Sequence, residues 1–194
     1  MNASPMKHVL DGLVVLSFLG LGAVASAAET SRPPDKVARG AYLVQTMACN
    51  DCHTPWKMGK EGPEPDMTRM LSGHPEAMPL PPPPKLADGP WAIVASVTMT
   101  AWSGPWGVSF TRNLTPDSET GIGKWTEQNF IDTIRNGKTM GKGRPLLPPM
   151  PWPMYRNLTD EDLKAMYAYL KTIQPVKNRV PEPLAPEDLR AGAR

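Results

Sequence analysis

The stretch MACNDCHTPW, residues 47–56, holds both cysteines of the chain, Cys49 and Cys52, and one of its three histidines, His53, directly after the second. Four chemistries use two cysteines at this spacing. A disulfide between them would close a loop too small to stabilise much. A redox dithiol wants the pair to open a helix in a βαβ setting, whereas here the pair follows a helical stretch. A structural zinc site needs four ligands, and no second Cys/His pair is present. The fourth pattern is C-x-x-C-H, the attachment sequence of c-type haem. In it two thiols add across the two porphyrin vinyl groups, and the adjacent imidazole lies where it can ligate the iron. One motif attaches one haem.

The surrounding chain agrees with that chemistry. Residues 1–27 read as an export signal. Lys7 and His8 precede an apolar run, LVVLSFLGLGAVA (Leu13–Ala25), and Ala25-Ser26-Ala27 supplies a small-x-small exit. The run is short for a membrane span, which needs about 20 apolar residues. Export to the periplasm is therefore expected, since covalent haem is attached outside the bacterial cytoplasm. The 194-residue chain carries 21 basic and 19 acidic residues, a net charge of +2, and shows no basic run that would grip nucleic acid. Membrane contact is expected only through partners or an uncleaved N-terminal segment.

After a linker over 28–35, three helices are predicted. The first runs from Lys36 to Met47, with Val37, Ala41, Val44 and Ala48 on one face. The second, in WTEQNFIDTIRNG, starts at the cap Thr126, turns Phe130, Ile131 and Ile134 inward, and stops at Gly137. The third lies in LTDEDLKAMYAYLKTIQP. Thr159 is its cap, Asp162 the acidic half of a capping box, and Leu163, Met166, Tyr167 and Leu170 its apolar face. Pro175 is its expected stop. Between the first two helices, residues 54–110 hold 11 prolines, including Pro81–Pro84. A weak strand at Ile93–Thr100, pairing near Gly107–Phe110, is all the regular structure expected there. A loop of this length usually serves function or docking. Residues 176–194 are expected to form a proline-rich surface tail.

A second axial ligand would come from a methionine or from His74. Met166 lies at core spacing, Met47 is too near the attachment site, and the methionines of 54–110 have packing or exposed roles by default. Met140, Met150 and Met154 remain. Met150, in LLPPMPW, is the expected ligand, with Met154 its rival, because flanking prolines stiffen a non-helical segment that can present a thioether. His/Met ligation saturates the iron and suits electron transfer. An open distal site, by contrast, would suit a peroxidase- or oxidase-like haem enzyme.

Three stretches together carry a family likeness: RGAYLVQTMACNDCHTP, NLTPDSETGIGKWTEQNFIDTIRNG and LLPPMPWPMYRNLTDEDLKAMYAYLKTIQPV. The chain resembles a cytochrome c domain over roughly residues 36–183. It is most similar to the haem c domains of cytochrome subunits that serve bacterial membrane-bound alcohol, aldehyde and sugar-acid dehydrogenases. The resemblance implies an all-α fold, an orthogonal helical bundle around one covalent haem over residues 36–175, with 54–110 as a long proline-rich insertion. It implies haem bound by Cys49 and Cys52, with His53 as proximal and Met150 as distal iron ligand. Protein redox partners, a dehydrogenase or a terminal oxidase or reductase, are implied likewise. Gly40 and Tyr42 are expected to meet Tyr167 and Leu170 where the first and last helices cross. Arg112, Asn113 and Trp152 are candidates for the haem propionates. A carbonyl of Pro63 or Pro55 is the candidate acceptor for the His53 ring N–H. Dehydrogenase cytochrome subunits usually carry three C-x-x-C-H motifs; this chain has one.

Overall fold

The computed structural model describes residues 35–191. The expected export signal and all of the linker before Asp35 lie outside the described residues. Among the described residues, six α-helices and five short strands follow one another in the order α1 (Lys36–Thr46), α2 (Cys49–His53), β1 (Trp56–Met58), β2 (Pro63–Pro65), β3 (Val94–Ala95), β4 (Ala101–Gly104), β5 (Gly107–Phe110), α3 (Glu127–Asn136), α4 (Trp152–Tyr155), α5 (Asp160–Leu170) and α6 (Pro186–Ala191).

The core sits where α1, α3 and α5 meet, and Leu43, Val44, Phe130, Ile134, Leu163 and Met166 are among its buried members. On α1 the buried residues are Gly40, Leu43 and Val44. The face is therefore rotated from the expected one: Val37 and Ala41 are half-buried and Ala48 is exposed. The crossing with α5 is closer than side chains would allow. A Cβ built on Gly40 would lie 1.9 Å from the carbonyl oxygen of Ala165 and 2.8 Å from Cβ of Tyr169. Tyr42, expected in this contact, is 58% exposed. One turn of a helix carries 3.6 residues, so Tyr42 points away from the face that bears Gly40 and Val44.

Helix α3 begins at a full capping box: Thr126 Oγ1 accepts from the Asn129 amide, and Asn129 Oδ1 accepts from the Thr126 amide. On α5 the box is half made. Thr159 Oγ1 accepts from the Asp162 amide at 3.1 Å. The Asp162 carboxylate instead accepts from Arg39 Nε at 2.9 Å, tying α5 to α1. The helix ends at Leu170, short of Pro175, with Lys171 as its C-cap.

The expectation of an all-α fold is corrected here: the fold mixes helices with two small antiparallel sheets, both in the proline-rich stretch. One is the β1–β2 hairpin, with Trp56 opposite Pro65 and Met58 opposite Pro63. Proline is tolerated because this ribbon is all edge, and a residue without an N–H costs little where no partner strand asks for it. The other sheet has the order β3-β4-β5. Gly107–Phe110 is indeed a strand, but its partner is Ala101–Gly104, with SGPWG making the turn between them. Only Val94 and Ala95 of the expected strand are extended in the sheet, and they pair with β4. Strands of two to four residues are too short to display the two-residue period that marks a strand in sequence.

Residues 176–191 are pinned rather than merely laid on the surface. Buried Asn178 donates to the carbonyls of Ser72 and His74 and accepts from the Glu76 amide. Leu184 exchanges backbone hydrogen bonds with Val108.

Candidate functional site

Helix α2 is a little over one turn long, so Cys49 and Cys52, three residues apart, share a face, and His53 follows at the next step. Ala48 enters the turn with φ +57°, a left-handed kink that separates α2 from α1. Both thiols are free. Burial is the chief cause of the shift in each, and it pushes Cys49 up to about 12. A redox dithiol needs the opposite, a nucleophile whose pKa is lowered.

His53 is buried, and its Nδ1 lies 2.8 Å from the carbonyl oxygen of Arg112. A carbonyl can only accept, so Nδ1 carries the proton and Nε2 keeps its lone pair for a metal. Burial lowers the pKa of the ring, which favours that neutral form. The candidate acceptors from the proline stretch are corrected by this contact. The Pro55 carbonyl is taken by the Asp66 amide, and Pro63 lies in β2. The Arg112 peptide is held in turn by its neighbours. A Cβ on Gly73, whose φ is +76°, would lie 2.6 Å from the Arg112 carbonyl carbon. The Gly73 amide donates to the His53 carbonyl at 2.8 Å.

These groups face a cavity of about 310 Å³. Cys49, Cys52 and His53 line one wall, the irregular segment Leu146–Pro151 another, and core side chains of α3 and α5 much of the rest. The volume falls in the range of cofactor pockets, about 300–1,000 Å³, and the lining is mostly apolar. Met150 and Met166 are the methionines on the cavity. Met154 is 69% exposed and Met140 40%. Met166 belongs to the core, as its spacing implied, yet it also borders the cavity.

The polar candidates divide. Arg112 lines the cavity, and so does Arg144, which sequence reasoning missed. Asn113 is wholly buried elsewhere, donating to Val176 and Asn178 carbonyls and to Thr120. Trp152 packs over Gly137 and under Arg156 rather than on the cavity. His74 is fully buried, with Nε2 on the Met78 carbonyl and Nδ1 on Thr100 Oγ1, so both ring nitrogens are spent on the fold. Arg144 lies six residues before Met150, a signal too faint to separate it from other surface arginines.

The cytochrome c family model matches residues 37–174. The chain belongs to the cytochrome c family. Over 95% of its length it is 28% identical to the cytochrome c subunit of a quinone alcohol dehydrogenase from Gluconobacter oxydans, covering 32% of that protein. Over 82% it is 31% identical to the fructose dehydrogenase cytochrome subunit of Gluconobacter japonicus, covering 25% of it. Over 80% it is 29% identical to the gluconate 2-dehydrogenase cytochrome c subunit of Pantoea cypripedii, covering 27% of that protein. The chain thus spans about a third or less of these relatives. A cytochrome c domain implies covalently bound haem c with its iron. The residues present fit such a group: two free thiols on one helical turn, a buried imidazole with its Nδ1 proton fixed, and an apolar cavity with a thioether in a separate wall.

Proposed function

We propose that residues 36–175 form a single-haem cytochrome c domain that carries one electron between exported protein partners, one of them a dehydrogenase. When bound, the haem supplies a one-electron Fe(III)/Fe(II) couple. Cys49 and Cys52 would hold it through thioethers, and His53 Nε2 and the Met150 thioether would ligate its iron. The observation that carries this reading is the apolar cavity shared by the α2 motif and the Leu146–Pro151 segment. The chain's own part is positional. The Arg112 carbonyl orients His53 and fixes its tautomer, and the core residues of α3 and α5 exclude water from the ring. A Met150 thioether on the iron would favour electron transfer over small-molecule activation and would raise the potential.

On this reading residues 1–27 export the domain to the periplasm. The dehydrogenase partner is favoured by the alcohol, fructose and gluconate dehydrogenase cytochrome subunits among its relatives.

The ligand assignment is tested by optical spectroscopy of the haem-loaded protein. Met150→Ala is expected to lose the low-spin, thioether-ligated spectrum and to bind cyanide or carbon monoxide quickly, while Met166→Leu keeps the wild-type spectrum. An unchanged spectrum in Met150→Ala, or its loss in Met166→Leu, contradicts the assignment.

A further inference from the structure

Met150 stands in a segment that has few ways of being held. Pro145, Pro148, Pro149 and Pro151 have no N–H to donate. The Met150 amide donates to the Leu147 carbonyl, within the same segment. Among the described residues, two hydrogen bonds tie residues 146–150 to other parts of the chain. At the start of the segment, the Leu146 amide donates to the Gly137 carbonyl at 2.8 Å. Two residues before Met150, Ser109 Oγ donates to the Pro148 carbonyl at 2.6 Å, across 39 residues of sequence. Ser109 is buried on β5 and borders the cavity. Its hydroxyl has one proton and two carbonyls near it, those of Pro148 and of Trp102, the latter at 3.4 Å. The shorter contact takes the proton. Trp106 Nε1, at 3.3 Å, donates to Oγ from the other side and holds the hydroxyl in that orientation. Trp106 is seated in turn on Gly104, where a Cβ would lie 2.5 Å from Cη2 of the indole.

We infer, on the Met150 ligation proposed above, that Ser109 is a positioning residue for the Met150 thioether, with Trp106 fixing its hydroxyl from behind. The β4–β5 hairpin, which carries Gly104, Trp106 and Ser109, thereby gives the proline-rich stretch a task at the iron. For Met150 to swing off the metal, the segment has to give up the Ser109 bond and leave both partners without each other. That cost adds to the strength of the thioether bond, as groups that orient a metal ligand commonly do. Nothing in the sequence marks Ser109 for this role, since serine in a short strand is ordinary and Pro148 reaches it only through the fold.

The readout is the affinity of the oxidised, haem-loaded protein for cyanide, which takes the iron position that Met150 vacates, followed by optical titration. Ser109→Ala is expected to bind cyanide about tenfold more tightly than wild type, the scale set by one buried hydrogen bond. Ser109→Thr keeps the hydroxyl and is expected to return the affinity to within about threefold of wild type. Trp106→Phe keeps a ring on Gly104 but loses the donor, and a gain of about threefold is expected, since its bond is the longer one. Asp66→Asn, on the other hairpin of the stretch, is expected to lower stability and leave the affinity at the wild-type value, which separates positioning from general loosening. An unchanged affinity in Ser109→Ala, beside tight binding in Met150→Ala, overturns the positioning role, and so does an equal gain in Asp66→Asn. Should Ser109→Ala fail to take up haem, Trp106→Phe decides, and an unchanged affinity there overturns the role. Wild-type affinity in Met150→Ala overturns the ligand reading itself, and the role of Ser109 falls with it.

Discussion

The proton on His53 Nδ1 is located by one contact, the Arg112 carbonyl 2.8 Å away. That contact spans 59 residues and depends on how Gly73 lets the Arg112 peptide approach. Gly73→Ala would put a methyl group 2.4 Å from the Thr111 carbonyl oxygen, at a φ that L residues rarely adopt. We expect this substitution to cost about 1–3 kcal/mol in unfolding stability. With His53 ligating a haem as proposed, it should also perturb the visible haem bands. Urea unfolding and a visible spectrum of the same sample check both. A wild-type midpoint with wild-type bands would show that the Arg112 peptide is not held from behind by Gly73. The motif residues were readable at this scale because Cys49, Cys52 and His53 are neighbours in sequence. The Arg112 carbonyl and Arg144 were not, because tertiary packing alone brings them to the cavity.

At the scale of elements, the crossing of α1 and α5 depends on Gly40 having no side chain, as its Cβ site lies 1.9 Å from the Ala165 carbonyl oxygen. Gly40→Ala ordinarily gains helix propensity, about 1 kcal/mol. Here overpacking reverses the sign, and we expect a net loss of about 1–3 kcal/mol, seen as a lowered denaturant midpoint. A stabilised protein would contradict the close crossing. The hairpin β1–β2 is secured differently. The Asp66 carboxylate accepts from Thr68, Arg69 and Lys57, and these bonds, led by Thr68 Oγ1, hold its pKa down at about 2. A lowered carboxylate pKa stabilises the fold above the unfolded value of about 4 and loses that stabilisation as pH falls through about 4 to 2. Thermal unfolding of wild type and Asp66→Asn at pH 2 to 5 should therefore show a gap that closes on acidification. A gap independent of pH would sink this assignment. Helices α3 and α5 were legible from their caps, Thr126 and Thr159, and from apolar residues at helical spacing. The sheets were hidden because β1 to β5 are two to four residues long and two of their residues are prolines. Pairing between such strands is decided by tertiary neighbours, such as the Thr98 carbonyl that takes the Trp56 amide.

For the whole molecule, the proline-rich stretch and the C-terminal chain are parts of one scaffold around the cavity. Asn178 bonds to residues 72–76, Leu184 to β5, and Ser109 Oγ to the Pro148 carbonyl, next to the segment that bears Met150. This scaffold explains why an α-helical pattern alone predicted too simple a fold. The central claim is that the scaffold exists to hold one covalent haem on Cys49 and Cys52. Its most direct test is the intact mass of the full chain expressed with haem-maturation machinery and purified under denaturing conditions. We predict a mass above that of the polypeptide by one haem, lost on replacing both cysteines by alanine; a mass equal to the bare polypeptide would contradict the account.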